Sequence, residues 1–408
     1  MRIILIELGS PRETISWTSW IDAEGRFAMP AVGLISIASQ TRPQDEIVFI
    51  DEKVSPLPES LDADLVAISF KTMECARAYR LADSLRAEGR RVVLGGVHVS
   101  LMPEEAAAHA DAVIVGEGEG LWARVLDEIE RGEHRPIYRP SEQTRLAELP
   151  RQRVELIDHP RYMAHGLQSA RGCSFTCEFC PTRGIFGSGY RLRDIDALLE
   201  EVEALLAIED KPIFFTENVF GAGDPEFISR LTQALKARSI RYGAICDWFM
   251  LTPTTVRLLE EGGCGLVCVN TTGRDEPKEI AALEAFYEAG IPIWGYFMFG
   301  FEEDDPSVFE RAIERARRYD IVTATLTVLT PFPGTPMASR LAAEGRIFSD
   351  DLSLYDHGHV HFEPKQMSAE ALTQGFDHVC SELSDRLRFD AAVRVLAQGS
   401  SPGRRGQR

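Results

Sequence analysis

The stretch Ser169-Ala-Arg-Gly-Cys173-Ser-Phe-Thr-Cys177-Glu-Phe-Cys180-Pro181 sets three thiols close together immediately after a short apolar run, Leu167 to Ala170. Three thiolates can hold three irons of a four-iron cluster and leave the fourth without a protein ligand, whereas an electron carrier normally uses four cysteines. An open iron is a place for a substrate to chelate. Phe179, between the second and third thiols, is placed to shield such a cluster from water and to help set its potential. Two other readings stay open. A structural zinc ion would need a fourth ligand such as His165, and three buried thiols can serve simply as small apolar side chains.

Downstream of the thiols, strand-like runs near Pro212 to Phe215, Arg241 to Cys246, Leu266 to Asn270, Pro292 to Met298 and Thr323 to Leu329 alternate with helical patterns. The helical segments are Asp194 to Ile208, Pro225 to Arg238, Thr252 to Glu261, Pro277 to Ala289 and Pro306 to Tyr319. With the run at Leu167, six such units predict a partial β/α barrel whose chemistry sits at the carboxyl ends of its strands. Upstream, strands at Arg2 to Leu8, Glu46 to Asp51, Leu65 to Phe70, Arg91 to Leu94 and Ala112 to Val115 alternate with four helical segments. That pattern predicts a doubly wound, flavodoxin-like domain with ligands beyond the strands' carboxyl ends. The fold class is therefore α/β. Its expected divisions are a first domain over residues 1–135, a polar, proline-rich linker over 136–165 and a barrel over 166–340. A mixed extension over 341–392 and a disordered tail over 393–408 complete the chain.

The charge balance excludes some functions. With 44 Lys plus Arg against 63 Asp plus Glu, the net charge of −19 disfavours phosphate-backbone binding, so no nucleic-acid partner is expected. No apolar run approaches the roughly 18 residues of a membrane span, and a soluble, cytoplasmic protein with a small-molecule substrate is expected. Eight scattered cysteines without a secretory signal read as thiols or ligands rather than as a disulfide framework.

Cys-x3-Cys-x-aromatic-Cys resembles the signature of the radical S-adenosylmethionine (SAM) superfamily. The runs Val93-Leu-Gly-Gly-Val-His98 and Ala112-Val-Ile-Val-Gly-Glu-Gly-Glu119 are similar to those of members with an amino-terminal cobalamin (B12)-binding domain. So are Phe214-Phe-Thr-Glu-Asn218, Gly295-Tyr-Phe-Met-Phe-Gly300, Thr330-Pro-Phe-Pro-Gly334 and Tyr355-Asp-His-Gly-His359, and the likeness covers about residues 1–380. The resemblance implies a 4Fe-4S cluster on Cys173, Cys177 and Cys180, SAM as cosubstrate, and an electron donor such as flavodoxin or ferredoxin. It implies SAM contacts from Thr216, Glu217 and Asn218 after the second barrel strand, from Thr271 and Thr272 after the fourth, and from backbone at Gly295. Gly95, Gly96, Gly116, Glu117 and Gly118 are the implied corrin neighbours, or turn residues in a domain that has become a scaffold.

Two departures bear on the reaction. The segment Leu8 to Ser16 has no histidine to displace the base of cobalamin, and Asn270-Thr271-Thr272-Gly273 replaces the family's Gly-x-Glu-Ser. The leading expectation is a transferase for cobalamin-dependent methylation in natural-product biosynthesis. An alternative is 3-amino-3-carboxypropyl transfer from SAM to arsenic, as in arsinothricin-type biosynthesis, without cobalamin. A third is a non-catalytic iron-sulfur or zinc protein. Cys264 and Cys268, four apart in an extended run, are expected to share a face with Cys246 nearby, either as substrate thiols or as core. His357, His359 and His361 alternate and in a strand would share a face. Trp248, Tyr296 and Phe332 are candidates for the substrate channel or for aromatic core.

Overall fold

The computed structural model describes residues 1–9, 20–274 and 276–398. Six strands form the first sheet: β1 (Arg2–Glu7), β2 (Glu46–Asp51), β3 (Leu65–Ser69), β4 (Arg91–Gly95), β5 (Ala112–Ile114) and β6 (Ile137–Tyr138). They pair in the order β2-β1-β3-β4-β5-β6, all parallel, so the order reverses between β1 and β3. The strands read as unbroken apolar runs because both faces are covered. Ile4, Ile6, Val66, Ile68, Val92 and Leu94 meet Cys75, Ala78, Tyr79, Ala82 and Leu85 of the Cys75–Ala87 helix. On the opposite face Ile3, Leu5, Leu65, Ala67 and Val93 meet Leu34 and Trp122, Val125, Leu126 and Ile129. This is the flavodoxin-like domain expected. Its sixth strand lies inside the stretch expected to be linker, a correction that leaves only the turns and short 3-10 segments after Tyr138 as connector.

The second sheet contains β7 (His165–Leu167), β10 (Ile213–Phe215), β11 (Tyr242–Cys246), β12 (Cys264–Thr271), β13 (Ile293–Phe299) and β14 (Thr323–Val328). All neighbours are parallel, in the order β14-β13-β12-β11-β10-β7. Between β7 and β10, β8 (Ala170–Cys173) and β9 (Gly189–Leu192) form an antiparallel hairpin, so the run read as one strand from Leu167 to Ala170 is broken at Gln168 and Ser169. Helices cover the outer face. Asp194, Asp224 and Thr252 cap three of them through side-chain oxygens, and Pro225 and Pro253 occupy first-turn positions where a missing N–H costs nothing.

The inner face near the strands' amino ends is filled. Phe214, Leu266, Cys268 and Trp294 pack against Phe27, Ala28 and Met29 and against Phe389, Ala392 and Leu396. The last three belong to a helix, Phe389–Gln398, so residues 393–398 are ordered where a disordered tail was expected. Its apolar residues at i, i+3 and i+7 supply the stripe that closes the barrel floor. Residues 399–408 lie outside the described residues. Among the described residues no helix is long and apolar enough to cross a membrane.

Candidate functional site

The β8–β9 hairpin presents the thiols. Gly172 has φ +93°, and a Cβ there would lie 2.1 Å from the Gly189 carbonyl, so only glycine lets the two strands close behind Cys173. The following loop turns back on itself through the Cys180 N–H, which donates to the Cys177 carbonyl at 3.1 Å. It is held from the far side by the Met337 N–H on the Glu178 carbonyl at 3.0 Å and by the Arg340 guanidinium on the Glu178 carboxylate at 3.1 Å. Phe179 meets Phe301 edge to face with ring centres 5.8 Å apart, and Phe175 meets Phe249, which stacks on Trp248.

Cys173 and Cys180 are half-buried and Cys177 is exposed. Desolvation, then the neighbouring Cys180 and Cys173 thiols and Asp247, push the Cys177 thiol above its ordinary value. Three thiolates so placed repel one another and call for a cationic centre. A structural zinc normally takes four protein ligands, whereas three cysteines suit a four-iron cluster with one open iron. The donor set therefore fits such a cluster.

Glu217 lies beside this loop, fully buried at 3% exposure. It accepts from the Ser169 hydroxyl and from the Gly221 N–H at 3.4 Å, while Oε2 has no partner. Burial outweighs these bonds and raises the carboxyl to about 7. An unpartnered buried carboxylate oxygen on the segment that leads to Asn218 and the hairpin fits a cationic ligand group such as an ammonium. Because the folded pKa is raised, Glu217 stabilises the protein fully below about 4.5 and that contribution is lost as pH rises through about 7. Glu217→Gln should remove a slope of about 1.4 kcal/mol per pH unit across that window. Urea unfolding of the ligand-free protein and the variant at matched pH checks this; parallel pH profiles would refute it. Thr216 bonds the Leu167 carbonyl through its N–H at 2.8 Å and its hydroxyl at 3.2 Å, and the Asn218 amide donates to the Gly172 carbonyl at 3.3 Å. The 216–218 segment is thereby fastened to the cluster hairpin.

Several expected contacts are corrected by the geometry. The Thr271 and Thr272 hydroxyls both donate to buried Glu279, which Arg315 holds at 2.6 Å, so both serve the layer behind the sheet. For Gly295, expected to offer its backbone, packing accounts for the residue type, since a Cβ would meet Phe297 at 2.7 Å and Ile321 at 2.9 Å. Cys264 and Cys268 do not share a face. A bulge between Tyr242 and Gly243 shifts the register from Cys264 to Leu266, leaving Cys268 on the floor and Cys264 with Cys246 in the core behind the sheet. Burial raises all three thiols, as expected of core cysteines rather than of reactive ones. His357 lies in a turn, His359 in a bend and His361 in irregular chain beside the Phe362 bridge, so the three form no strand; His359 bonds Asp356 at 3.0 Å and His361 the Leu354 carbonyl at 2.7 Å. Trp248 is buried in the core behind the sheet, and half-buried Tyr296 keeps to the inner face of β13.

At the carboxyl edge of the first sheet, Gly95 faces open space, with nothing within 4 Å of a Cβ. A Cβ on Gly96 would instead meet the Phe70 backbone at 2.7 Å, and one on Gly116 the Ile185 carbonyl at 2.8 Å, so Gly116 is a contact between domains. Half-buried His357, from the carboxyl-terminal extension, is lowered to about 4 by desolvation and then by Lys71. The expected ligand-free segment Leu8 to Ser16 lies outside the described residues from Ser10 onward.

The sequence did not disclose the clamp that joins the halves. Arg171, two residues before Cys173, donates to Glu119 at 2.6 Å and Glu117 at 3.2 Å, while Arg191 donates to Glu117 at 2.6 Å. The Ser36 hydroxyl completes Glu119 at 2.7 Å. Burial alone would raise Glu119, but the Arg171 charge and these bonds hold it below the usual carboxylate range. The loop after β5, read as a corrin neighbour, is thus bolted directly to the cluster hairpin.

Residues 23–126 match the family described as the B12 binding domain. The chain is 28% identical to the bacteriochlorophyllide d C-12(1)-methyltransferase of Chlorobaculum tepidum, over 88% of this chain and 84% of that protein. It is 22% identical to the hopanoid C-2 methylase of Rhodopseudomonas palustris, over 79% of this chain and 66% of that protein. The fold matches that of the radical SAM methyltransferase TsrM from Kitasatospora setae, solved with cobalamin and a [4Fe-4S] cluster bound. That match has a TM-score of 0.65 and 15% identity, covering 92% of this chain and 85% of that one.

Proposed function

We propose that this chain, a radical SAM enzyme with an amino-terminal B12-binding domain, transfers a methyl group from SAM by way of cobalamin to a carbon of a small molecule. The observation that carries the reading is the union of a B12-binding domain with the three-thiol hairpin through one buried ion-pair cluster. When bound, an open-iron cluster supplies the electron that cleaves SAM and cobalamin supplies a cobalt able to carry methyl. Cys173, Cys177 and Cys180 would hold the cluster, and the free oxygen of Glu217 would take the ammonium of SAM. Gly95 would let the first domain's edge approach a corrin, and the closed floor excludes water from below. Carbon is the favoured acceptor because the relatives named above are described as acting at C-12(1) and C-2 positions. The acidic chain and its reduced thiols suit the cytoplasm, with a flavodoxin- or ferredoxin-type donor as the electron source.

The test is an anaerobic reaction with reconstituted cluster, hydroxocobalamin, SAM and dithionite, offered bacteriochlorophyllide d and a hopanoid as acceptors. S-adenosylhomocysteine and 5'-deoxyadenosine should form, with methyl from labelled SAM in the acceptor. 5'-Methylthioadenosine as the SAM-derived product would overturn the reading in favour of aminocarboxypropyl transfer.

A further inference from the structure

Two hydroxyl groups stand against the sulfurs of the hairpin. Tyr190 is the cross-strand partner of Gly172, and its phenol oxygen lies 3.7 Å from Cys173 Sγ. Thr182 begins the short Thr182–Phe186 helix after the third cysteine, with its hydroxyl oxygen 3.2 Å from Cys180 Sγ. Both sit on anchored backbone. Tyr190 precedes Arg191, whose guanidinium is fixed to Glu117 at 2.6 Å and to the Thr144 carbonyl at 2.7 Å. The Thr182 helix is fastened at its end, where Arg191 and Gln143 donate to the Phe186 carbonyl at 3.2 and 3.1 Å. Among the described residues Cys177 has no such hydroxyl partner.

A free thiol can donate to oxygen, but a thiolate bound to iron can only accept, so on ligation each hydroxyl must turn its hydrogen toward sulfur. Such bonds strengthen as negative charge builds on the sulfur. Reduction adds one electron to the cluster without making or breaking a covalent bond, and the added charge spreads onto its ligands. Donors to those ligands therefore favour the reduced form.

Resting on the radical SAM reading above, we propose that Tyr190 and Thr182 tune the cluster by hydrogen-bonding the coordinating sulfurs of Cys173 and Cys180. They raise its reduction potential into the reach of a low-potential one-electron donor. They are tuning residues and touch no substrate. The asymmetry has a purpose: the two sulfurs nearest the anchored hairpin and helix are stabilised, while exposed Cys177 is left to its electrostatic neighbours.

The experiment is an EPR-monitored redox titration, with dithionite as reductant, of reconstituted full-length protein and of Tyr190→Phe, Thr182→Val, Thr182→Ser and the Phe/Val double variant. With iron content unchanged, Phe and Val should each shift the midpoint to more negative values and the double variant by about their sum, as for separate sites. Thr182→Ser, which keeps the hydroxyl, should stay with the wild type. Midpoints that do not move at full iron occupancy would overturn the assignment, and so would loss of iron confined to the Phe or Val variants, which would make them retention residues. Wild-type protein that takes up no cluster would instead sink the function proposed above, a failure visible from iron content before any titration.

Discussion

Cys177→Ala should abolish the open-iron cluster and all SAM cleavage with it. Of the three thiols this is the exposed one, raised by desolvation and then by its neighbours, and among the described residues it has no hydroxyl partner. Its removal leaves two protein ligands for four irons, too few to hold a cluster with a single open site. The loop itself should survive, because its shape comes from backbone bonds at Cys180 and Glu178 rather than from the sulfur. After anaerobic reconstitution the variant should fall well below about four irons per chain, and its reduced EPR signal should not respond to SAM. It should release neither 5'-deoxyadenosine nor S-adenosylhomocysteine. Circular dichroism should match the wild type. Turnover that persists in this variant would refute the cluster assignment.

Arg171→Met should be nearly as damaging by a different route. The substitution keeps bulk but strands Glu119 and part of Glu117 without their cation in a buried interface. Removing one partner of a buried ion pair typically costs about 3–5 kcal/mol, because the remaining charge stays desolvated. Arg191 retains Glu117, which places the loss mainly on the Arg171–Glu119 pair. Glu119→Gln should cost less, since an amide oxygen can still accept from Arg171. Urea unfolding of the two single variants and the double variant gives the coupling directly; a coupling below about 1 kcal/mol would place the pair among surface-like ion pairs and refute the clamp. Through the hairpin, the same change should loosen Cys173 and lower iron retention.

Much of this architecture is legible in one dimension. The central strands are buried on each face, so β3 from Leu65 to Ser69 stands out as a short apolar run between polar segments. Helix starts at Asp224 and Thr252 announce themselves by a capping side chain followed by proline. The thiol spacing marks the centre of the site. Features that depend on distant partners are not legible in this way. Arg171 and Glu119 are 52 residues apart, and nothing local distinguishes them from surface charges. The bulge that turns Cys264 away from Cys268 is a pairing property of β11 and β12, invisible in either strand alone. Thr271 looks like a ligand until Glu279 is seen beneath it. The helix at Phe389 carries a readable apolar stripe, obscured by the Gly- and Arg-rich residues that follow.

The filled floor beneath Phe214, Leu266 and Trp294 makes the barrel a well with one mouth. Under the proposed function, SAM and the acceptor would then approach from the carboxyl side of the strands, where the hairpin lies, and a departing product would compete there with the next arrival.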